Sequence, residues 1–526
     1  MSIRKAPWLQ ASILALALGL ALAWWTQRGL AISLPDVASV KVPCLSYAPF
    51  RRDGANPANI GMDISPAQIE EDLRLVKTLS SCIRTYGVGK GLAAVPAVAA
   101  KLGIRVRLGV WLGRDVLANH EEMEIALALT QKYRDTIDVL IVGNEVLLRE
   151  DLVPDALVAH LKDAKARSAV PVSYADVWEF WRRHSSLKQY VDIVTIHVLP
   201  YWEDQPVSAS SASKHVFDTI HDMQKEFAGH PVWLGETGWP AAGRQRAGAV
   251  PGLVEQTQVL RDVMLRAAKE QVDVNLIEAF DQPWKRTLEG GMGGAWGLFK
   301  ANGAVRMSFA GPVREDAYWW RGPLGALVGA LVGVGVGFGF MRGSSEKRSF
   351  ENIAGYTLGL ALIGIVAPAH LDALALWSRD AKEWMIALFS AAVVLSGTAS
   401  LLRQLLDPAA QPSPRSMVMR FALIFIASLW AWYLWVDPRY RGFPIALFYP
   451  AAALSATVII KPSAWHWQGL QALVMLALAL SLIYFALAII VNEGLANTQA
   501  VVIAILWIVI ALAQLLACCP RPRAKA

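Results

Sequence analysis

Two hydrophobic rhythms divide the 526-residue chain. From residue 43 to 280, short β-branched runs alternate with stretches whose apolar positions recur at helical spacing. The pattern predicts eight strands, at 43–48, 82–86, 104–111, 137–142, 171–174, 192–197, 232–235 and 274–279, with seven helical stretches between them. The first helix, SPAQIEEDLRLVKTL, has Ser65 as N-cap, Pro66 at the first helical position and Gln68 placed to close a capping box. Its Ile69, Leu73 and Val76 share one face. Such alternation predicts an α/β fold, a (β/α)8 TIM barrel. An open doubly wound sheet is the competing arrangement. It calls for a glycine fingerprint after the first strand, where SYAPFRRDG stands instead. GVGKGL at 87–92 puts Leu92 in the place of a third glycine and reads as a turn.

The second rhythm is continuous apolar sequence. Eight candidate membrane spans stand at about 8–25, 323–341, 352–368, 383–402, 417–436, 443–460, 468–491 and 499–518. Three domains follow: a signal-anchor helix in 1–30, an extracytoplasmic barrel in 31–315, and an all-α multi-span membrane domain of about seven helices in 316–526. A cleaved signal peptide is the alternative for the first span, but no small-x-small site follows Trp24-Trp25-Thr26-Gln27-Arg28. Arg4 and Lys5 hold the N-terminus in the cytoplasm. The links expected inside carry Arg342, Lys347, Arg348, Arg403, Arg415, Lys461, Arg521, Arg523 and Lys525, with Arg439 and Arg441 as exceptions outside. The net charge of +7 is therefore largely topogenic and implies no nucleic acid. Trp24, Trp25, Trp319, Trp320, Trp430, Trp432 and Trp435 are placed for an interfacial belt. Gly325, Gly329, Gly333 and Gly337 form a stripe for close helix contact. Cys518 and Cys519 read as inert. For Cys44 and Cys82, at the starts of neighbouring strands, two buried thiols are the expectation and a bridge the alternative.

Two strand ends carry acids. The seventh runs into LGETGWP, with Glu236 at its tip, and the fourth into GNEV, with Glu145. In a barrel both face the shared mouth at the C-terminal ends of the strands. Paired carboxylates about 5–5.5 Å apart suit retaining glycoside chemistry. Their roles demand opposite charge states, so one of the two is expected to have a raised pKa. Asn144 is placed to bond a sugar 2-hydroxyl. A capping or loop-pinning acid is the plainer reading of either motif taken singly.

At these residues the chain resembles glycoside hydrolase family 17, the β-1,3-glucanase and glucan transglycosylase family, over roughly 42–300. GNE at 143–145 is similar to its acid/base motif and GETGWP at 235–240 to its nucleophile motif. IRTYG at 83–87, HVLPYWED at 197–204, FDQPWK at 280–285 and WGLF at 296–299 resemble further segments of the family. The resemblance implies that Glu145 is the general acid/base and Glu236 the nucleophile. It makes Tyr86, Asn144, Tyr201, Trp239, Trp284 and Lys285 candidates for substrate binding. Asp281 and Lys285 match less well, a surface charge being the plainer reading of Lys285. For His197 a satisfied core histidine and a sugar contact are both open. The fusion to membrane spans resembles bacterial inner-membrane proteins that make cyclic β-(1,3),(1,6)-glucans, which implies a plasma-membrane protein with a periplasmic barrel and both termini cytoplasmic.

A glycosyl-enzyme can be resolved by water or by a sugar hydroxyl. Tethering to a membrane favours transfer, with β-1,6 branching or ring closure as outcomes. Hydrolysis by an endo- or exo-β-1,3-glucanase is the alternative, and a non-catalytic glucan-binding export scaffold is the reading from another class. Trp178, Trp181, Trp202, Trp239 and Trp284 stand near strand ends as candidate stacking platforms. No H-E-x-x-H or C-x-x-C pair is present, and His120-Glu121-Glu122 lacks a second spaced histidine, so no metal is expected. No cofactor is expected either, because the glycosidic bond supplies the energy for transfer. The partners implied are a β-glucan chain, the lipid bilayer and a membrane glucan synthase.

Overall fold

The eight strands close on themselves. In the computed structural model, which describes residues 6–37, 40, 42–340, 346–406, 413–437, 441–460 and 467–518, they form a parallel barrel in chain order. The strands are β1 (Cys44–Ser46), β2 (Cys82–Arg84), β3 (Arg105–Val110), β4 (Ile137–Asn144), β5 (Val172–Val177), β6 (Ile193–His197), β7 (Val232–Thr237) and β8 (Val274–Leu276). Leu45 opposite Leu276 joins the last strand to the first. The open doubly wound sheet is thereby excluded. Every strand lies between barrel interior and helices, so nearly all strand residues are buried.

The helix Pro66–Lys77 starts as its sequence dictates. The Ser65 side chain accepts from the Gln68 N–H at 3.2 Å, and Ile69, Leu73 and Val76 are buried. The Gln68 side chain, expected to complete a capping box, instead donates to the Pro49 carbonyl at 2.8 Å and ties the helix to the loop after β1.

Cys44 and Cys82 are joined as a disulfide, against the expectation of two thiols. The reason is register. Leu45 pairs with Ile83, so the preceding residues stand side by side with Cα atoms 4.5 Å apart, inside the range a disulfide spans. The bridge closes a loop of sequence separation 38, worth about 3–4 kcal/mol in the chain-entropy description. The full-length Cys44→Ala/Cys82→Ala protein in detergent is expected to lose this stability. Its barrel melting transition should fall by roughly 6–10 °C, and an unchanged transition would show that the bridge contributes nothing.

One unit of the chain spans Ile32–Val313, and the helices before and after it form the other. Among the described residues, seven of those helices are long and apolar enough to cross a membrane: Leu9–Gly29, Arg321–Gly339, Ile353–Trp377, Ala381–Leu406, Pro414–Val436, Gly469–Glu493 and Thr498–Cys518. The eighth expected span is a helix of 16 residues, Ile445–Ile460. At 1.5 Å per residue it covers roughly 24 Å, short of a hydrocarbon core of about 30 Å. The glycine stripe does what small residues at that spacing permit. A Cβ at Gly325 would land on the Gly364 carbonyl, at Gly329 on Leu360, at Gly333 on Tyr356 and Thr357, and at Gly337 on Ile353. Two long helices, Arg321–Phe340 and Glu346–Trp377, therefore touch backbone to backbone.

The tryptophan belt is only partly realised. Trp24, Trp320, Trp432 and Trp435 are exposed, whereas Trp25 is buried and donates its indole N–H to the Ile365 carbonyl at 2.9 Å. Trp319 and Trp430 are half-buried. Of the cysteine and topogenic positions named above, Arg4, Lys5, Arg342, Arg439, Lys461, Cys519, Arg521, Arg523 and Lys525 lie outside the described residues, as do the side chains of Lys347 and Arg348.

Candidate active site

The two acids meet at the barrel mouth. β4 leaves the sheet through Gly143, at φ +88°, where a Cβ would press on Val146 and the Tyr174 ring. Glu145 then adopts φ +53°, a left-handed conformation that costs a non-glycine residue about 1–3 kcal/mol. Its neighbours hold it there. The Glu145 N–H donates to the Ala175 carbonyl at 2.8 Å. The Leu147 N–H reaches the Tyr174 hydroxyl at 3.2 Å and Asp176 Oδ2 at 3.3 Å. Across the mouth, Glu236 on β7 stands in register with His197 on β6. Gly235 is needed beside it, because a Cβ there would strike Thr195 and the His197 ring.

His197 lies between the carboxylates. Its Nδ1 is 2.8 Å from Glu145 Oε1, and its Nε2 is 3.8 Å from Glu236 Oε1 and 3.1 Å from Arg84 Nη1. A guanidinium only donates, so the facing Nε2 accepts and the ring proton sits on Nδ1, aimed at Glu145. His197 is thus the satisfied core histidine of the two readings: it is fully buried, partnered at both ring nitrogens, and holds Glu145 directly. Oxygens of Glu145 and Glu236 and a ring nitrogen of His197 all fall within 4.8 Å of one another. One oxygen of each acid therefore lies within 4.8 Å of one on the other, an approach comparable with the carboxyl spacing of about 5–5.5 Å in a retaining pair. The same three donors could form part of a cation site. Here Arg84 already supplies the positive charge, 3.0 Å from Glu236 and 3.1 Å from His197.

Arg84 was not among the site residues read from sequence. It ends β2, is almost completely buried, and donates to Glu236 Oε1 (3.0 Å), to the Gly235 carbonyl (2.8 Å) and to Asn144 Oδ1. The available signal was a lone arginine in the apolar stretch Cys82-Ile83-Arg84: a buried cation demands an anion. Arg84 takes Oδ1 of Asn144, which leaves the amide NH2 as that side chain's remaining donor group.

Other expectations fare variously. Tyr86 is half-buried, with its hydroxyl 2.8 Å from Ser46 Oγ and its ring 5.0 Å from the Arg84 guanidinium. Burial, then the charge of Glu236, holds its phenol well above the usual range, so it stays a neutral donor. Trp284 is half-buried at the rim and donates to Gln282 Oε1 at 2.9 Å. Trp178 and Trp202 are also half-buried. Tyr201 and Trp239 are fully buried and pack edge to face, with centroids 5.9 Å apart. Tyr201 donates to the Arg244 carbonyl and Trp239 to the Val250 carbonyl, so both support the wall and offer no face to a ligand. Trp181 is likewise core. Lys285 is no surface charge. It pairs at 3.0 Å with buried Glu278, another acid the sequence reading passed over. Burial pushes the Glu278 carboxyl up to about 7 despite Lys285. Burial would lower the Lys285 ammonium, but the charges of Glu278, Glu289 and Glu236 outweigh it and hold the ammonium up. Asp281 is a staple, paired with Arg306 and accepting from the Gly297 N–H at 3.0 Å.

The expectation of a raised pKa on one of the paired acids is not met at Glu145. Burial is the largest influence and pushes it up, but the His197 hydrogen bond and the charges of Arg149 and Arg84 together hold it below the usual range. Behind it, burial pushes Asp176 up to about 6. A carboxyl raised in the folded state stabilises the fold below its unfolded pKa, and that stability is lost as pH rises through the folded value. Asp176 therefore favours the fold at pH 4 over pH 7 by on the order of 2–3 kcal/mol. Asp176→Asn is expected to remove that slope in denaturation measured between pH 4 and 7. An unaltered slope would place the charge elsewhere.

Comparison with known proteins covers the barrel. Residues 44–297 match the BtgE/BtgC glycoside hydrolase domain. A glucan 1,3-beta-glucosidase of Candida albicans is 26% identical over 263 residues, which cover 45% of this chain and 85% of that protein. Its counterpart in Schizosaccharomyces pombe is 27% identical over 231 residues, 41% of this chain and 72% of the relative. The solved structure of a glycoside hydrolase family 17 beta-1,3-glucanosyltransferase from Rhizomucor miehei superposes with a TM-score of 0.46 at 23% identity, covering 52% of this chain and 99% of that one. The domain match spans every strand of the barrel and both paired acids, so the barrel of this chain is similar from β1 to β8 to a BtgE/BtgC glycoside hydrolase domain.

Proposed function

We propose that this protein is a membrane-anchored retaining transglycosylase acting on β-1,3-glucan chains. The observation that carries the reading is the approach of the Glu145 and Glu236 oxygens to within 4.8 Å of each other at the ends of β4 and β7. Glu236 attacks the anomeric carbon while Glu145 gives its proton to the leaving glycosidic oxygen, so that the C1–O bond to the leaving chain breaks as an ester to Glu236 forms. Glu145, now ionised, takes the proton of an acceptor hydroxyl. That oxygen attacks C1 and frees the Glu236 carboxylate. The Glu145 side chain is 21% exposed, and a bound sugar that covers it adds to the burial that pushes its pKa up. The Asn144 NH2, fixed by Arg84, supplies a donor for the 2-hydroxyl.

Acceptor oxygens that make β-1,6 branches or close a ring extend the same step. Hydrolysis is the second reading, favoured by the glucosidase names of the relatives. The catalytic barrel faces the oxidising side of a bacterial plasma membrane. The disulfide between Cys44 and Cys82 and the basic residues expected in the cytoplasmic links support that side. A membrane glucan synthase is the partner that would deliver the chain. Incubating the full-length protein in detergent with β-1,3-gluco-oligosaccharides and reading product masses and linkages tests the proposal. Longer or branched products are expected. Shorter products alone would leave hydrolysis, and unchanged oligosaccharide would leave a glucan-binding scaffold.

A further inference from the structure

Trp111 directly follows β3 at the barrel mouth, and nothing described above uses it. It is 44% exposed, in contrast to buried Trp181 and Trp239. Its backbone N–H is fixed on Glu122 Oε2 at 3.2 Å. The Arg149 guanidinium lies 4.1 Å from its ring centroid and covers one face. That cation is itself held three ways: to the Asn144 carbonyl, to the Leu112 carbonyl at 2.9 Å and to Asp151 at 2.8 Å. Among the described residues the Trp111 indole N–H has no protein partner. An indole braced on one face, with an unused donor on its edge, suits a sugar ring, whose axial C–H bonds form an apolar face and whose hydroxyls form a polar rim.

Its place in the barrel fixes which sugar. Val110 pairs with Val142, so Trp111 stands beside Gly143-Asn144-Glu145 and on the side of the mouth away from β7. Arg149 bridges the two, bonded to Asn144 and acting with its charge on Glu145. An acid/base must lie next to the oxygen it protonates and later deprotonates. The chain beyond that oxygen therefore passes on the Glu145 side of the cleft.

We propose that Trp111, backed by Arg149, is a stacking subsite for a glucosyl ring of the acceptor chain, on the reading that Glu145 serves as acid/base. Occupancy of the ring positions the acceptor hydroxyl at Glu145 and displaces water from it, so the platform biases the glycosyl-enzyme toward transfer.

The test compares wild type, Trp111→Ala and Trp111→Phe as full-length proteins in detergent. β-1,3-Gluco-oligosaccharides serve as donor and acceptor, and the ratio of transfer to hydrolysis products is followed against acceptor concentration. Trp111→Ala is expected to raise the half-maximal acceptor concentration about tenfold, an effect larger than any loss of maximal rate. Trp111→Phe should recover most of it. An unchanged half-maximal concentration in Trp111→Ala, or an equal loss of maximal rate alone in both variants, would overturn the subsite. A wild type yielding only shorter products would remove the transfer reading but not the subsite. The leaving segment then occupies the same side, and the tenfold rise is expected in the KM for hydrolysis. Its absence there would overturn the subsite as well.

Discussion

The full-length Glu236→Gln protein is expected to lose turnover of β-1,3-gluco-oligosaccharides by at least about 10⁴-fold while keeping its fold. The amide is nearly isosteric, and its oxygen can still accept from Arg84, which now contacts Glu236 Oε1 at 3.0 Å. What it lacks is a carboxylate to attack the anomeric carbon. Glu145→Gln makes the necessary contrast. General acid–base help is worth about 10²–10⁴-fold, and a leaving group that needs no proton should escape most of that loss. An activated aryl β-glucoside would therefore be turned over by Glu145→Gln far better than by Glu236→Gln. Similar activity of Glu236→Gln and wild type would remove the nucleophile assignment, and with it the retaining mechanism.

Arg84→Met should show the second-largest effect, on stability and activity together. The guanidinium and the Glu236 carboxylate are both buried, so their pair is not weakened by solvent. Removing one partner of a buried pair costs about 3–5 kcal/mol, because the remaining charge is left without compensation. The same substitution frees the Gly235 carbonyl, the Asn144 side chain and His197 Nε2 from a shared donor. Thermal unfolding of the full-length protein should show a lower barrel transition. Turnover should fall about 10²-fold or more beyond what the fraction unfolded explains, since a misplacement of about 1 Å has that effect. A stable Arg84→Met protein with normal kinetics would mean that the four-strand network around Arg84 does not hold the site.

The periodicities were sufficient for the architecture. Each predicted strand is present, because a strand buried on both faces must be a short apolar run, and the turns between runs announce themselves. The two acids were legible for a related reason: Glu145 and Glu236 each interrupt such a run at its end, where a barrel turns side chains toward its mouth. The span pattern was legible by length alone, and among the described residues only Ile445–Ile460 is shorter than a span needs.

What the chain could not disclose along its length is which buried groups touch. Arg84, His197 and Glu278 lie far from Glu145 and Glu236 in sequence, and only strand order and register bring them to one mouth. Tyr201 and Trp239 sit inside motif segments yet pack as wall, because exposure is a property of the assembled aromatic cluster. Register likewise decided that Cys44 and Cys82 are bridged. Local sequence thus determined the elements and the residues at their ends, since hydrophobic periodicity and turn chemistry act within a few residues. The tertiary structure decided charge pairing, orientation and access, since these depend on atoms that closure of the barrel brings within bonding distance.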